Sequence, residues 1–145
     1  MPLYSIKESD YSQYILHKIH RPYADFYLFD NFVVSEVHEG AIFGGMEALD
    51  IFSLLMEFYD GVKRSMEFVY LSNRVNSYST RPVDWLDFKF MDQYLKGYGI
   101  IDDRVRAEQN AFLEKQFVPC KFQFFNNLET AVQWAVELQG KHRLN

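Results

Sequence analysis

Apolar runs of strand length alternate along this chain with longer stretches in which apolar residues recur every three or four positions. That alternation is the pattern of an α/β domain built on a mostly parallel sheet. The first clear pair of runs, ADFYLF and FVVSEVH, is separated by Asp30-Asn31. Asx residues tolerate the positive φ of a tight turn, so the pair predicts a hairpin whose two strands are antiparallel neighbours. Gly44-Gly45 then punctuates the chain ahead of residues 46–59, where Leu49, Phe52, Met56 and Tyr59 repeat at helical spacing and Asp60-Gly61 supplies a stop. Residues 67–71 predict a buried strand. Pro82 and Asp84 mark the next helix start, since proline suits a first turn and a carboxylate accepts from free amide groups, with Trp85, Phe88, Met91 and Leu95 as the apolar stripe.

A strand over residues 98–101, a helix over about 103–117 and a strand over 121–125 follow. Asn126 is the expected cap of a last helix in which Leu128, Ala131, Val132, Ala135 and Leu138 share one face, with Trp134 at its margin. About four helices result. Before the hairpin the pattern is weaker: residues 14–19 have extended character broken by Lys18 and flanking histidines. Residues 1–22 are therefore a lead-in whose structure the pattern does not determine, and residues 23–145 form the single domain. No internal repeat, low-complexity tract or linker interrupts it.

Composition narrows the picture. The chain has 145 residues and is 48% hydrophobic, enough for one domain and too short for two ordinary ones. Aromatics reach 18%, with 14 Phe and 10 Tyr, so some tyrosines are expected at the surface or at an interface. A formal net charge of -5 disfavours nucleic acid, whose binding rests on Lys and Arg displacing counterions. No uncharged apolar run approaches the roughly 18 residues of a membrane span, and the start MPLYSIKESDY lacks the basic and apolar regions of a secretory signal, so the expected location is cytoplasmic. The one cysteine, Cys120, has no partner for an internal disulfide and reads as a small buried hydrophobe.

Within this acidic chain one segment stands apart: FVYLSNRVNSYSTRP, an apolar strand running into a polar loop with two arginines and no acid. In open α/β sheets ligands bind beyond the carboxyl ends of strands, where helix N-termini direct amide groups outward. Asn73, Arg74, Asn76, Ser77, Tyr78, Ser79 and Arg81 are therefore the candidate ligand- or partner-binding loop. Arginine offers planar donors to carboxylate or phosphate, and the Asn and Ser groups add neutral hydrogen bonds, as an anion or phosphoserine-peptide site requires. The competing reading is structural: Asn and Ser bond their own backbone in turns, and the arginines pair with Asp84 or Asp87. Glu36 and His38, two apart on a predicted strand with Glu39 beside them, read either as a carboxylate–His ligand pair or acid–base pair, or as the solvent side of the hairpin. His17 and His20, three apart, face opposite sides of a strand and share no metal. Asp102 and Asp103 read as helix caps. Gly97 and Gly99 are a fragment of a dinucleotide loop at the wrong end of a strand. No P-loop, G-x-S-x-G elbow or H-E-x-x-H is present, so no catalytic residue, metal or cofactor is nominated.

The element order, the hairpin through residues 33–40, the segment FVYLSNRVNSYS and the ending AFLEKQFVPCKFQFFNNLETAVQWAVEL resemble the STAS-like, SpoIIAA-like domains. That is the fold of bacterial anti-sigma-factor antagonists and of many small bacterial proteins of unassigned function. The likeness spans roughly residues 26–138. In partner-switching members a serine in an Asp-Ser-Ser-Gly type motif, at the start of the helix after the third strand, is phosphorylated by a kinase that is also the binding partner. This chain lacks that motif; the matching positions are Ser77, Ser79 and Thr80, with no glycine after them, and they are the candidate phosphosites the resemblance implies.

Three functional readings follow. The first is a non-enzymatic regulatory or protein-interaction module, in which a sheet edge, surface tyrosines and the 77–80 loop bind a protein partner. The second is a small-molecule or lipid-binding domain, because relatives of the resembled fold are grouped with CRAL-TRIO lipid carriers. It requires a deep apolar pocket rather than a closed core lined by Phe52, Phe68, Tyr70 and Trp134. The third is an enzyme on a small anionic substrate, with the loop arginines binding and Glu36 or His38 moving protons. A homodimer is also expected, since an open sheet edge and surplus aromatics favour association.

Overall fold

A computed structural model describes residues 3–63 and 67–138. Its main sheet has six strands in the order β1 (His17–Arg21), β2 (Ala24–Leu28), β3 (Phe32–Val37), β5 (Phe68–Asn73), β7 (Leu95–Ile101), β8 (Lys121–Phe125). β2 is antiparallel to both β1 and β3, and β3, β5, β7 and β8 run parallel. The predicted mostly parallel sheet with an N-terminal antiparallel hairpin is thus the observed one, extended by β1, which the lead-in contributes. Helices are α1 (Gly45–Lys63), a 3-10 segment Pro82–Gln93, α2 (Ala107–Lys115) and α3 (Leu128–Leu138). No helix among the described residues is long and apolar enough to cross a membrane.

The hairpin turns where the Asx pair stands. Asn31 has φ 80, and the Phe29 and Phe32 rings on either side stack at 4.5 Å between centroids. Tyr59 of α1 fixes this turn from below: its buried hydroxyl lies 2.7 Å from the carbonyl oxygens of both Phe29 and Phe32, sharing one proton between them. Both central strands are covered on both faces. In β5, Phe68 and Tyr70 enter a core with α1, the 3-10 segment and α2, while Val69 and Leu71 enter a second core with α3 and the N-terminal turns. Burial on both faces is why FVYL is a continuous apolar run rather than an alternating one.

Several boundaries differ from expectation for local reasons. Helix α1 buries Ala48, Ile51, Phe52, Leu55 and Tyr59, and Leu49, expected in the stripe, is 59% exposed. The 3-10 segment was expected to be α-helical. Its Trp85, Phe88 and Met91 are spaced by three, the repeat of a 3-10 helix, and a non-helical Phe88 (φ -119, ψ 23) kinks it. Leu95, expected in that stripe, opens β7. Helix α2 begins at Ala107, not near residue 103. Asp102 instead accepts from the backbone and guanidinium of Arg104, and Arg106 takes a left-handed conformation (φ 69) before the first turn. The cap of α3 is Asn127, one residue beyond the expected Asn126, its Oδ1 accepting from the Thr130 amide at 2.9 Å. An additional two-stranded parallel ribbon pairs β4 (Ile42–Phe43) with β6 (Ser79–Thr80).

Gly97 and Gly99 lie inside β7, and their role is packing. A Cβ at Gly97 would stand 2.5 Å from Leu138 Cδ2 and 2.8 Å from Trp134 Cη2; at Gly99 it would meet Leu71 Cδ2 at 2.8 Å. The two glycines form the seat on which α3 and its Trp134 ring lie against the sheet. Gly97→Ala is therefore expected to lower the unfolding free energy by about 1–3 kcal/mol through overpacking, read as a shifted urea midpoint with an unchanged slope.

Candidate functional site

The polar residues that end β5 alternate between the two faces of the sheet, and each finds its partner inside the protein. On the α3 face Asn73 is buried. Its amide donates to the Glu36 carboxylate at 2.9 Å and to the Tyr4 carbonyl at 3.1 Å, while its own Oδ1 has no hydrogen-bond partner. Glu36 in turn accepts from the Ser5 hydroxyl at 2.7 Å and the Ile6 amide at 2.8 Å. This carboxylate, only 6% exposed, is the anchor of the N-terminal turns, so the reading of Glu36 as the solvent side of the hairpin is corrected. Tyr4 also donates its hydroxyl to Glu129 of α3, which extends the anchor to that helix.

On the α1 face Arg74, whose side chain is 11% exposed, forms a buried ion pair with Glu114 of α2, Nη2 to Oε2 at 2.8 Å. Its Nε donates to Ser72 Oγ at 3.1 Å, and the guanidinium lies 5.5 Å from the Tyr78 ring centroid. Tyr98 donates to the other oxygen of Glu114 at 2.9 Å, and Ser72 and Tyr78 share a hydrogen bond of the same length. Burial works against the guanidinium's charge, but Tyr78, Glu114 and Tyr98 around it outweigh this and drive its pKa upward. Burial first, and Glu114 second, push the Tyr98 phenol well up. Arg74 is fully charged and Tyr98 fully neutral at physiological pH. The network is a closed internal one.

Above it lies a cavity of about 40 Å³ lined among others by Ser35, Ser72, Tyr78, Thr80, Arg81 and Glu114. That is room for two or three waters, against roughly 300–1,000 Å³ for an ordinary ligand pocket. This cavity, among the described residues, is too small to be the deep apolar pocket of a lipid carrier. Phe52, Phe68 and Tyr70 pack together in one core, and Trp134 packs on the opposite face of the sheet.

The candidate loop is therefore split. Asn73 and Arg74 are internal struts. Asn76 donates to the Val37 carbonyl at 3.1 Å, and the Ser77 amide donates to Glu39 at 2.9 Å. Ser77 and Ser79 are exposed, Thr80 and Tyr78 half-buried. Arg81 is exposed and pairs with Asp84 at 3.1 Å, as the structural reading expected for an arginine of this loop. Glu114 and Tyr98 were missed. Glu114 continues the buried face of α2 after Ala107 and Ala111, at the fourth and seventh positions on, and a carboxylate on the apolar stripe of a helix was the available signal.

A second, open groove of about 600 Å³ runs beside the loop, lined by Gly44, Gly45, Met46, Glu47, Leu49, Arg81, Asp84, Asp87 and Phe88. Two of its carboxylates cap α1: Glu47 accepts from the Gly44 amide at 2.9 Å and Asp84 from the Gly45 amide at 2.6 Å. Asp84 thereby joins the start of the 3-10 segment to the start of α1. Met46 is 83% exposed, and Ile42, Val83 and Leu86 are exposed nearby in sequence on the ribbon and the 3-10 segment.

No protein-family model matches this chain, and no curated protein matches it. Among solved structures it is similar to an uncharacterized protein of the DUF3478 family with a SpoIIAA-like fold from Shewanella loihica. The TM-score is 0.50 at 17% identity, over 82% of this chain and 90% of that one. The fold is thus SpoIIAA-like.

Removing one partner of the Arg74–Glu114 pair strands a buried charge. Arg74→Ala is expected to cost about 3–5 kcal/mol in chemical denaturation, and the double change Arg74→Met with Glu114→Leu to recover most of that loss. Burial pushes the Cys120 thiol from 9.0 up to about 12. Native Cys120 should accordingly react with iodoacetamide at pH 8 at least about tenfold more slowly than in guanidinium-unfolded protein, followed by mass spectrometry.

Proposed function

We propose that this chain is a non-enzymatic interaction module that docks a protein segment bearing apolar side chains flanked by lysine or arginine, on the groove beside residues 76–81. The observation that carries this reading is the pairing of exposed apolar residues with acidic rims. Met46 and Leu49, three apart, stand on one side of the first turns of α1, and the same groove presents Glu47, Asp84 and Asp87 against the single cation Arg81. Large apolar side chains clustered at the surface mark interaction sites, and complementary charge sets register and partner choice. The β4–β6 ribbon gives the loop a fixed frame, with the Gly40 amide bonded to the Ser77 carbonyl at 2.7 Å and the Ser79 amide to the Ala41 carbonyl at 3.0 Å. The SpoIIAA-like fold, whose solved neighbour is uncharacterized, is compatible with a regulatory role.

Ser77 is the phosphorylation position this reading favours over Ser79 and Thr80. It is exposed and outside the ribbon strands, and its amide already contacts Glu39. A phosphate there would face that carboxylate and loosen the loop.

Peptides selected on the purified protein by phage display are expected to combine apolar residues with Lys or Arg. Their affinity should fall at least about tenfold, the equivalent of about 1.4 kcal/mol, in Met46→Asp/Leu49→Asp, with the melting temperature unchanged. Selected peptides that bind this variant as tightly as the parent would place recognition elsewhere.

A further inference from the structure

Three side chains from β1, β2 and the exit of β3 meet at the end of the β1–β2 hairpin. His20 and Asp25 are cross-strand partners, so their side chains stand on one face, and His38 follows the last residue of β3 beside them. His20 Nδ1 lies 2.5 Å from Asp25 Oδ1 and His38 Nε2 lies 3.3 Å from Asp25 Oδ2. One ligand atom from each of the three falls within 4.8 Å of the others.

The chemistry of His38 makes this more than proximity. Its Nδ1 lies 3.0 Å from the Pro22 carbonyl oxygen, an acceptor only, so Nδ1 carries the proton. In the neutral ring Nε2 then presents a lone pair toward a carboxylate oxygen, and two lone pairs face each other unless a cation stands between them. A backbone carbonyl holding the remote N–H is the arrangement that orients metal-ligating histidines. The 3.3 Å spacing of His38 Nε2 and Asp25 Oδ2 equals the ligand–ligand edge of about 3.3 Å that bonds of about 2.0–2.1 Å make in a tetrahedron. His20 stands closer to the carboxylate than such an edge, but it is 68% exposed and its ring has room to turn outward.

We propose that His20, Asp25 and His38 form a divalent transition-metal site, selective for zinc and its borderline neighbours over calcium or magnesium. Two imidazole nitrogens and one carboxylate oxygen are the donors such ions take, leaving a fourth position for water or a partner's side chain. The ion joins β1, β2 and the exit of β3. The Lys18 ammonium, whose charge acts on Asp25, works against a cation there.

The competing occupant is a proton shared by His38 and Asp25. Isothermal titration of the full chain with zinc chloride at neutral pH, in a non-coordinating buffer, distinguishes them. The expected result is one equivalent bound, with affinity lowered tenfold or more in each of His20→Ala, Asp25→Asn and His38→Ala. It should be unchanged in His17→Ala, on the opposite face of β1, and in His142→Ala, outside the described residues. Cobalt should give the visible absorption of a four-coordinate complex, lost in the same three variants. No binding by the parent protein, or binding that survives His38→Ala or disappears in His142→Ala, overturns the proposal; magnesium binding as tightly as zinc would do so too.

Discussion

The burial of β5 on both faces is the constraint from which the rest of this structure follows. A strand with no solvent-facing side has nowhere to place polar side chains except against internal partners, and β5 ends in Ser72 and Asn73 with Arg74 directly after. Alternation sends Asn73 to one side and Ser72 with Arg74 to the other. Each side has then acquired a carboxylate to meet them, Glu36 from β3 and Glu114 from α2. Buried charges are tolerated only when paired and hydrogen-bonded, and both carboxylates are multiply bonded.

Those two networks organise the periphery. Through Glu36 the N-terminal turns are held at the sheet's end, with Ile6 completely buried beneath them. Through Glu114 the short helix α2, only nine residues long and with exposed Phe112 and Leu113, is held to the sheet by an ion pair as well as by apolar packing. A site that would serve a ligand in many open α/β sheets is here filled by the protein's own side chains. The recognition surface proposed above lies in what surrounds it: the ribbon, the first turn of α1 and the 3-10 segment.

The same logic separates the two arginines of the loop. They are seven residues apart and chemically identical, yet Arg74 is a structural cation enclosed by Glu114, Tyr98, Ser72 and Tyr78, whereas Arg81 is exposed with one ion-pair partner. The difference lies in the end of the strand. Arg74 still follows the pleat of β5, and Arg81 lies beyond the ribbon strand β6. Glycine plays a comparable role on the other face, where Gly97 and Gly99 matter for the side chains they omit, allowing Trp134 to approach β7.

Periodicity and turn chemistry, which act over a few residues, were legible in the chain alone. The hairpin at Asp30-Asn31, the strand over residues 121–125, the face of α3 and the mostly parallel sheet follow from local patterns because each buries its apolar side whichever neighbour supplies the cover. Spacing of three at Trp85, Phe88 and Met91 was present too, but three serves both an α-helical stripe and a 3-10 repeat, and only the packed segment distinguishes them. Pairings across long sequence separation were decided by tertiary structure: Arg74 with Glu114, Asn73 with Glu36, and Asp25 with His38. A polar side chain's identity states what it can bond, whereas the partner that reaches it depends on strand order and on which face of the sheet it occupies, quantities that no local window contains.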